Sequence, residues 1–193
     1  LQLFKKLGYK VKEEIYSFYF TRESVKRISY KRSEEITTRS FNRTQLTREI
    51  EIFNYLNNAI FFGSYGYIPR TLEDDRGFVQ SFLSILDDDL VIIAEDQKRK
   101  PIGFLICLPD SYQALKGEPI TRGRVISVGV LPDQRKNGVG SAMVAHLIEN
   151  LLQKGYETVE GSWVMKSNLG PQLLAKRFNA KRGREFILME KQL

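Results

Sequence analysis

At 193 residues and 42% hydrophobic side chains, the chain is long enough for one ordinary domain with some excess and has the material for a packed core, which excludes a disordered polypeptide. No apolar run approaches the ~20 residues of a membrane-spanning helix, and the single cysteine, Cys107, excludes an internal disulfide or a cysteine-based zinc site and fits a reducing, cytoplasmic compartment with no legible signal peptide. The net charge of +7 is split into blocks, with ten Lys/Arg against five Asp/Glu in residues 1–40, seven against eleven in 41–110 and thirteen against seven in 111–193, which argues against one continuous basic face for nucleic acid.

In chain order, residues 1–20 read as a helix end, a turn at Gly8 and an aromatic strand over 15–20. Val25 and Ile28, three apart in a basic stretch, read as a short connecting helix. A strand over 36–41 follows, and Thr44 or Thr47 is placed to cap a helix carrying Ile50, Phe53, Tyr55, Leu56 and Ile60. The aromatic loop 61–67 precedes a second helix with Phe78, Phe82, Ile85 and Leu86. From Leu90 the pattern turns to strands: a hairpin over 90–94 and 102–106, a polar loop, and a strand over 124–130 closed by Pro132. A helix over 138–154 stops at Gly155, and a strand over 156–164, a helix over 169–178 and a strand over 185–189 complete a mixed α/β sheet with helices on both faces. Trp163 is expected in the core, and His146 at the edge of the stripe Val139, Met143, Leu147, Leu151 as a structural histidine; no metal site is suggested.

The segment with chemistry in it is 128–141. A buried strand enters a turn holding Arg135, Lys136, Asn137, Gly138 and Gly140, and an amphipathic helix starts at once. Backbone N–H groups at a helix start, the positive end of its dipole, and glycines that admit a ligand to the backbone together make an anion site suited to pyrophosphate. The spacing is neither Gly-x-Gly-x-x-Gly nor Gly-x-x-x-x-Gly-Lys-Ser/Thr, so a dinucleotide fold or a nucleotide triphosphatase is not indicated.

Arg135-Lys136-Asn137-Gly138-Val139-Gly140 resembles the Arg/Gln-x-x-Gly-x-Gly/Ala signature of the GNAT (general-control-related N-acetyltransferase) superfamily, and Val128-Gly129-Val130-Leu131-Pro132 resembles the strand before it. The resemblance implies a GNAT-type α/β fold, with a mostly antiparallel central sheet, splayed central strands and acetyl-CoA or another acyl-CoA as co-substrate. It implies that Val128 and Val130 pair with the pantetheine arm through their backbone. Arg135, Lys136, Asn137, Gly138, Val139, Gly140 and Ser141 would then hold phosphate, and Asn168 would touch the coenzyme arm. Residues 160–164 followed by Asn168 further resemble bacterial tandem GNAT-like proteins. On that basis residues 1–20 would be the tail of a preceding GNAT-like domain in the same polypeptide, 21–35 a connecting helix, and 36–193 the acyltransferase domain.

Two departures bear on catalysis. Ala175 stands where many members carry a tyrosine as general acid, and Arg124 where some carry a glutamate as general base. The catalytic groups are therefore unknown, with Glu160 and Glu95 as weak candidates for proton transfer and Tyr65 and Tyr67 as weak candidates for the acceptor pocket. Two classes stay open: an N-acyltransferase acting on a small-molecule or peptide amine, and a catalytically degenerate module that binds coenzyme A or a macromolecule. The acidic block 41–110 leads to the expectation of a cationic acceptor, with solvated helix caps as the rival account of its acids.

Overall fold

The computed structural model describes residues 1–25 and 35–192. The chain opens with α1 (Gln2–Lys6) and β1 (Lys10–Thr21), followed by the single turn α2 (Arg22–Val25). The rest of the expected connecting helix, Ile28 included, lies outside the described residues. Next come β2 (Thr37–Ser40), α3 (Leu46–Phe61), α4 (Leu72–Phe82), β3 (Val91–Glu95), β4 (Pro101–Pro109) and α5 (Ser111–Leu115). The order closes with β5 (Arg122–Val130), α6 (Val139–Gln153), β6 (Thr158–Met165), α7 (Leu169–Arg177) and β7 (Lys181–Glu190).

All seven strands form one sheet in the order β2-β3-β4-β5-β6-β1-β7. Every neighbouring pair is antiparallel except β5 and β6, which run parallel. Strand alternation on β4 shows how the layers lie. A Cβ placed on Gly103 would meet Met143 and Val139 of α6, whereas the next residue, Phe104, packs its ring against Phe53 and Phe61 of α3. So α6 covers one face and α3 the other. The sheet centre reads as near-continuous apolar runs because both faces are covered, and Leu56, Leu90, Ile92 and Phe104 are each fully buried, worth roughly 1.5–3 kcal/mol apiece.

Local chemistry explains the helix starts. Thr71 and Asp74 form a reciprocal capping box at α4, the Thr71 hydroxyl accepting from Asp74 N–H while the Asp74 carboxylate accepts from Thr71 N–H. Before α3 the cap differs from expectation: Asn42 Oδ1 accepts from the Thr44 N–H and starts a 3₁₀ turn (Arg43–Gln45), so neither Thr44 nor Thr47 caps the helix. His146, half-buried on α6, places Nδ1 2.9 Å from Thr38 Oγ1 and ties α6 to β2. The polar loop after β4 contains α5, capped by Asp110, which is too short to show periodicity.

The opening segment joins the same sheet as the rest of the chain. β1 lies between β6 and β7 and is paired with both, from Thr21↔Thr158 on one side to Lys10↔Glu190 on the other. β1 is therefore an interior strand of this sheet. Trp163 also departs from expectation: it is 67% exposed and leans on Phe186 of β7.

Candidate acyl-coenzyme A cleft

The site begins with an irregularity in β5. Ile106 pairs with Ser127 and Cys107 with Val125, so Ile126 is one extra residue, a β-bulge. At the same level the β5–β6 pairing ends, running only from Arg122↔Thr158 to Val125↔Gly161. Past that vertex β5 stays with β4, while β6 stays with β1 through Tyr16↔Val164 and Ile15↔Met165. The two halves of the sheet part and leave a V-shaped cleft.

Alternation settles which backbone groups face it. Leu131 N–H donates to Ile102 O, so Leu131, Gly129 and Ser127 direct their peptide groups at β4. Val128 and Val130 direct theirs at the parted edge. The Val130 carbonyl accepts from Arg135 Nε at 3.2 Å, while the Val130 N–H and both groups of Val128 face the cleft. α3 seats closely on the strand here: a Cβ on Gly129 would stand 2.8 Å from Ile60 Cγ2.

At the top of the edge, Pro132–Gln134 make a 3₁₀ turn and Gly138 caps α6 at φ 88°, ψ −3°, a left-handed conformation that glycine adopts without penalty. The N–H groups of Val139, Gly140 and Ser141 open the helix without intrahelical acceptors, at the positive end of its dipole. Lys136 and Asn137 are exposed beside them. The Arg135 guanidinium turns back to the carbonyls of Val130 and Ile60 and fastens the loop to β5 and α3. Asn168, the N-cap residue of α7, lines the cleft, and its side chain makes no capping bond. Of the predicted residues, Val128 and Asn168 line the cleft, while 136–141 form the loop and helix start that follow Val130 along the chain.

The cleft holds a cavity of ≈ 210 Å³, and a wider recess of ≈ 710 Å³ lies on the α3–α4 side. Phe61, Ile126 and Ser127 border both, so the bulge is where the two spaces meet. Tyr67 lines the recess, donating to Asn58 Oδ1 at 2.8 Å and accepting from Asn57 Nδ2 at 3.2 Å, and burial pushes its phenol pKa up. Tyr65 is 65% exposed and lines neither space.

The weak catalytic candidates are not at the vertex cavity. Glu95 is buried at the opposite side of the sheet, 2.7 Å from Arg39 Nε, and Arg39 also holds Glu49. It belongs to an ion-pair cluster, and burial is what keeps the Glu49 carboxyl above the ordinary range against the pull of Arg39. Glu160 sits in register between Arg124 and Tyr19 and lines neither space. Arg124 donates to Ser162 Oγ at 3.0 Å, across the vertex. On α7, Leu174 and Ala175 face the cleft, so no hydroxyl comes from that helix position.

The acidic block does not produce an acidic cleft. Asp75 is paired with Arg70, Glu73 with Arg76, Asp88 with Arg43, and Asp87 and Asp89 with Lys154. The recess lining carries one acid, Asp74, committed to its capping box, and one base, Arg70. The recess lining therefore carries no excess of acid. Sequence reading missed Ile126, Ser127 and Asn57; the one available signal was the break in alternation at Val125-Ile126.

Among the described residues no helix is long and apolar enough to cross a membrane. A family model described as the acetyltransferase (GNAT) family matches residues 51–179. Protein YghO of Escherichia coli K12 is 23% identical over 183 residues, covering 83% of this chain and 47% of that protein. A GCN5-related N-acetyltransferase structure from Sphaerobacter thermophilus superposes with a TM-score of 0.75 at 20% identity, covering 97% of this chain and 54% of that one. An N-acetyltransferase structure from Staphylococcus aureus Mu50 superposes at 0.58 with 18% identity, over 76% and 83% of the two chains. The chain thus spans about half the length of YghO and of the Sphaerobacter protein. With the family match covering the sheet centre, the loop and α6, the chain belongs to the GNAT acetyltransferase family.

Proposed function

We propose that the chain is an acyl-CoA-dependent N-acyltransferase that moves an acetyl or other acyl group from coenzyme A to a small-molecule or peptide amine. The observation that carries this reading is the unpaired β5 edge at Val128 and Val130 leading straight into the open start of α6. Backbone groups of Val128 and Val130 pair with the amides of the pantetheine arm, the first turn of α6 and Lys136 take the pyrophosphate, and the Asn168 amide holds the arm from the other wall. The thioester then lies at the vertex, where Ile126 and Ser127 join the cleft to the recess that admits the amine.

In the reaction a neutral amine attacks the thioester carbonyl, the new C–N bond forms, the C–S bond breaks, and the coenzyme leaves as thiolate. The proton lost by the amine goes to water in the open recess, since Asp74, the one recess carboxylate, is held below the ordinary range by its bonds to Thr71 and is a poor base. Catalysis rests on alignment of amine and thioester. A second reading, a degenerate coenzyme-binding module, is favoured by Leu174 and Ala175 standing where a thiolate acid is needed. The proposal also places the chain in the cytoplasm and beside a second GNAT-like domain in one polypeptide, in keeping with relatives about twice its length.

The test is a melting curve with acetyl-CoA, followed by release of free coenzyme with a panel of amines. A raised melting temperature and amine-dependent release are expected. Stabilisation without release for any amine leaves the module reading, and no stabilisation at millimolar acetyl-CoA rejects both.

A further inference from the structure

The cavity at the vertex reaches beyond the parted stretch of β5 and β6. It does not stop where β5 and β6 pair, but continues on the α6 side from Val144 to Leu151, about 10 Å along the helix at 1.5 Å per residue. Its lower walls are Phe20, Val25, Ile148, Leu151, Tyr156 and Val159. Burial pushes the Tyr156 phenol up to about 12, as expected of a wall with little access to water. Packed interiors keep few voids larger than a water molecule, and this one of ≈ 210 Å³ has a mostly apolar lining, with Thr21, Arg22, Glu157 and Thr158 as polar members at its lower end. The small side chain of Ala175 borders the same space, widening it beside the vertex.

Resting on the acyltransferase reading, we infer that this lower cavity is an acyl chamber, and that the donor is a coenzyme A thioester of a medium-length saturated acyl chain rather than acetyl-CoA. The phosphate loop fixes the coenzyme end, the β5 edge fixes the arm, and the acyl chain passes the vertex and lies along α6. Ile148 and Phe20 set its length from opposite walls, the first on the helix and the second on β1. Neither takes part in holding the coenzyme.

The experiment measures dissociation constants of acetyl-, octanoyl- and dodecanoyl-CoA by titration calorimetry on the intact chain and on Ile148→Trp and Phe20→Ala. In the unaltered protein octanoyl-CoA binds at least ~10-fold tighter than acetyl-CoA, well within the ceiling of roughly fourfold per buried methylene. Ile148→Trp fills the chamber, removes that advantage and keeps acetyl-CoA affinity. Phe20→Ala lengthens it and moves the preference to dodecanoyl-CoA, which keeps the idea testable should the tryptophan variant fail to fold. Equal affinity for acetyl- and octanoyl-CoA, or an undiminished octanoyl advantage in folded Ile148→Trp, overturns the chamber and leaves the coenzyme cleft standing. Absence of binding by all three thioesters overturns both.

Discussion

Replacing Gly138 with aspartate separates the anion-binding role of the loop from its part in the fold. Gly138 sits at φ 88° and ψ −3° at the start of α6. An ordinary L residue there costs roughly 1–2 kcal/mol, and Asp or Asn pays less because each tolerates the left-handed region. The fold should therefore lose about 1 kcal/mol. Affinity should suffer far more. A carboxylate ~4 Å from a bound phosphate is repelled by about 4 kcal/mol at an effective dielectric constant of 20, a factor of about 10³ in binding. Its oxygen also competes for the first-turn N–H groups that the phosphate uses. Gly138→Asn supplies the shape without the charge and should lose less than ~10-fold. Calorimetric titration with acetyl-CoA on both variants, each first shown to melt cooperatively, gives the two numbers; part of the aspartate loss should be recovered as salt is raised, since the loop is exposed. A folded Gly138→Asp protein with unchanged affinity would refute the assignment of the anion site, and equal damage from Asn would reduce the effect to sterics.

Arg39→Met should cost roughly 3–5 kcal/mol in urea unfolding at pH 7, because it strips the shared cation from Glu49 and Glu95, whose side chains are 1% and 5% exposed. The deficit should shrink as pH falls through the carboxylate range. Glu49 is already held above its ordinary value by burial, so the folded state takes up protons first and stability declines as pH rises; a pH-independent loss under about 1 kcal/mol would contradict the cluster's role. Cys107, fully buried with its thiol pushed up to about 12 by burial, should not react with a disulfide reagent at pH 8 in the native protein and should react fully in urea. Fast native labelling would mean that β4 opens readily.

What the sequence disclosed followed from local chemistry. The loop over 135–141 was legible because cations, glycines and an amphipathic run sit side by side in the chain, and the strand-helix order from residue 36, α5 apart, was legible from periodicity together with caps and Gly/Pro breaks. The cleft was not, since it depends on β6 leaving β5 after Gly161 to follow β1, a partner some 140 residues earlier in the chain. The same non-local pairing puts the opening segment inside the sheet, although its strand character was plain. Trp163 misled because a large aromatic in a strand is usually core, whereas here its strand borders the parted edge and leaves the indole outside.

Charge was the least transferable inference. The linear count made 41–110 an acidic block, yet each of Glu73, Asp75, Asp87, Asp88 and Asp89 meets an Arg or Lys in the fold, so little of that charge faces the recess. Ala175 shows the opposite case, where a residue read only as a loss acquires a role from its surroundings. On the proposed acyltransferase reading, the missing tyrosine would deprive the departing thiolate of a proton donor, while the small side chain borders the space that continues beneath the vertex. A thioester held by backbone at one end and by chain burial at the other has fewer orientations to lose on the way to the transition state, so binding energy remote from the sulfur can serve the alignment that a general acid would otherwise assist. On that argument the acyl chain should raise turnover as well as affinity, and shortening it to acetyl should cost kcat together with KM.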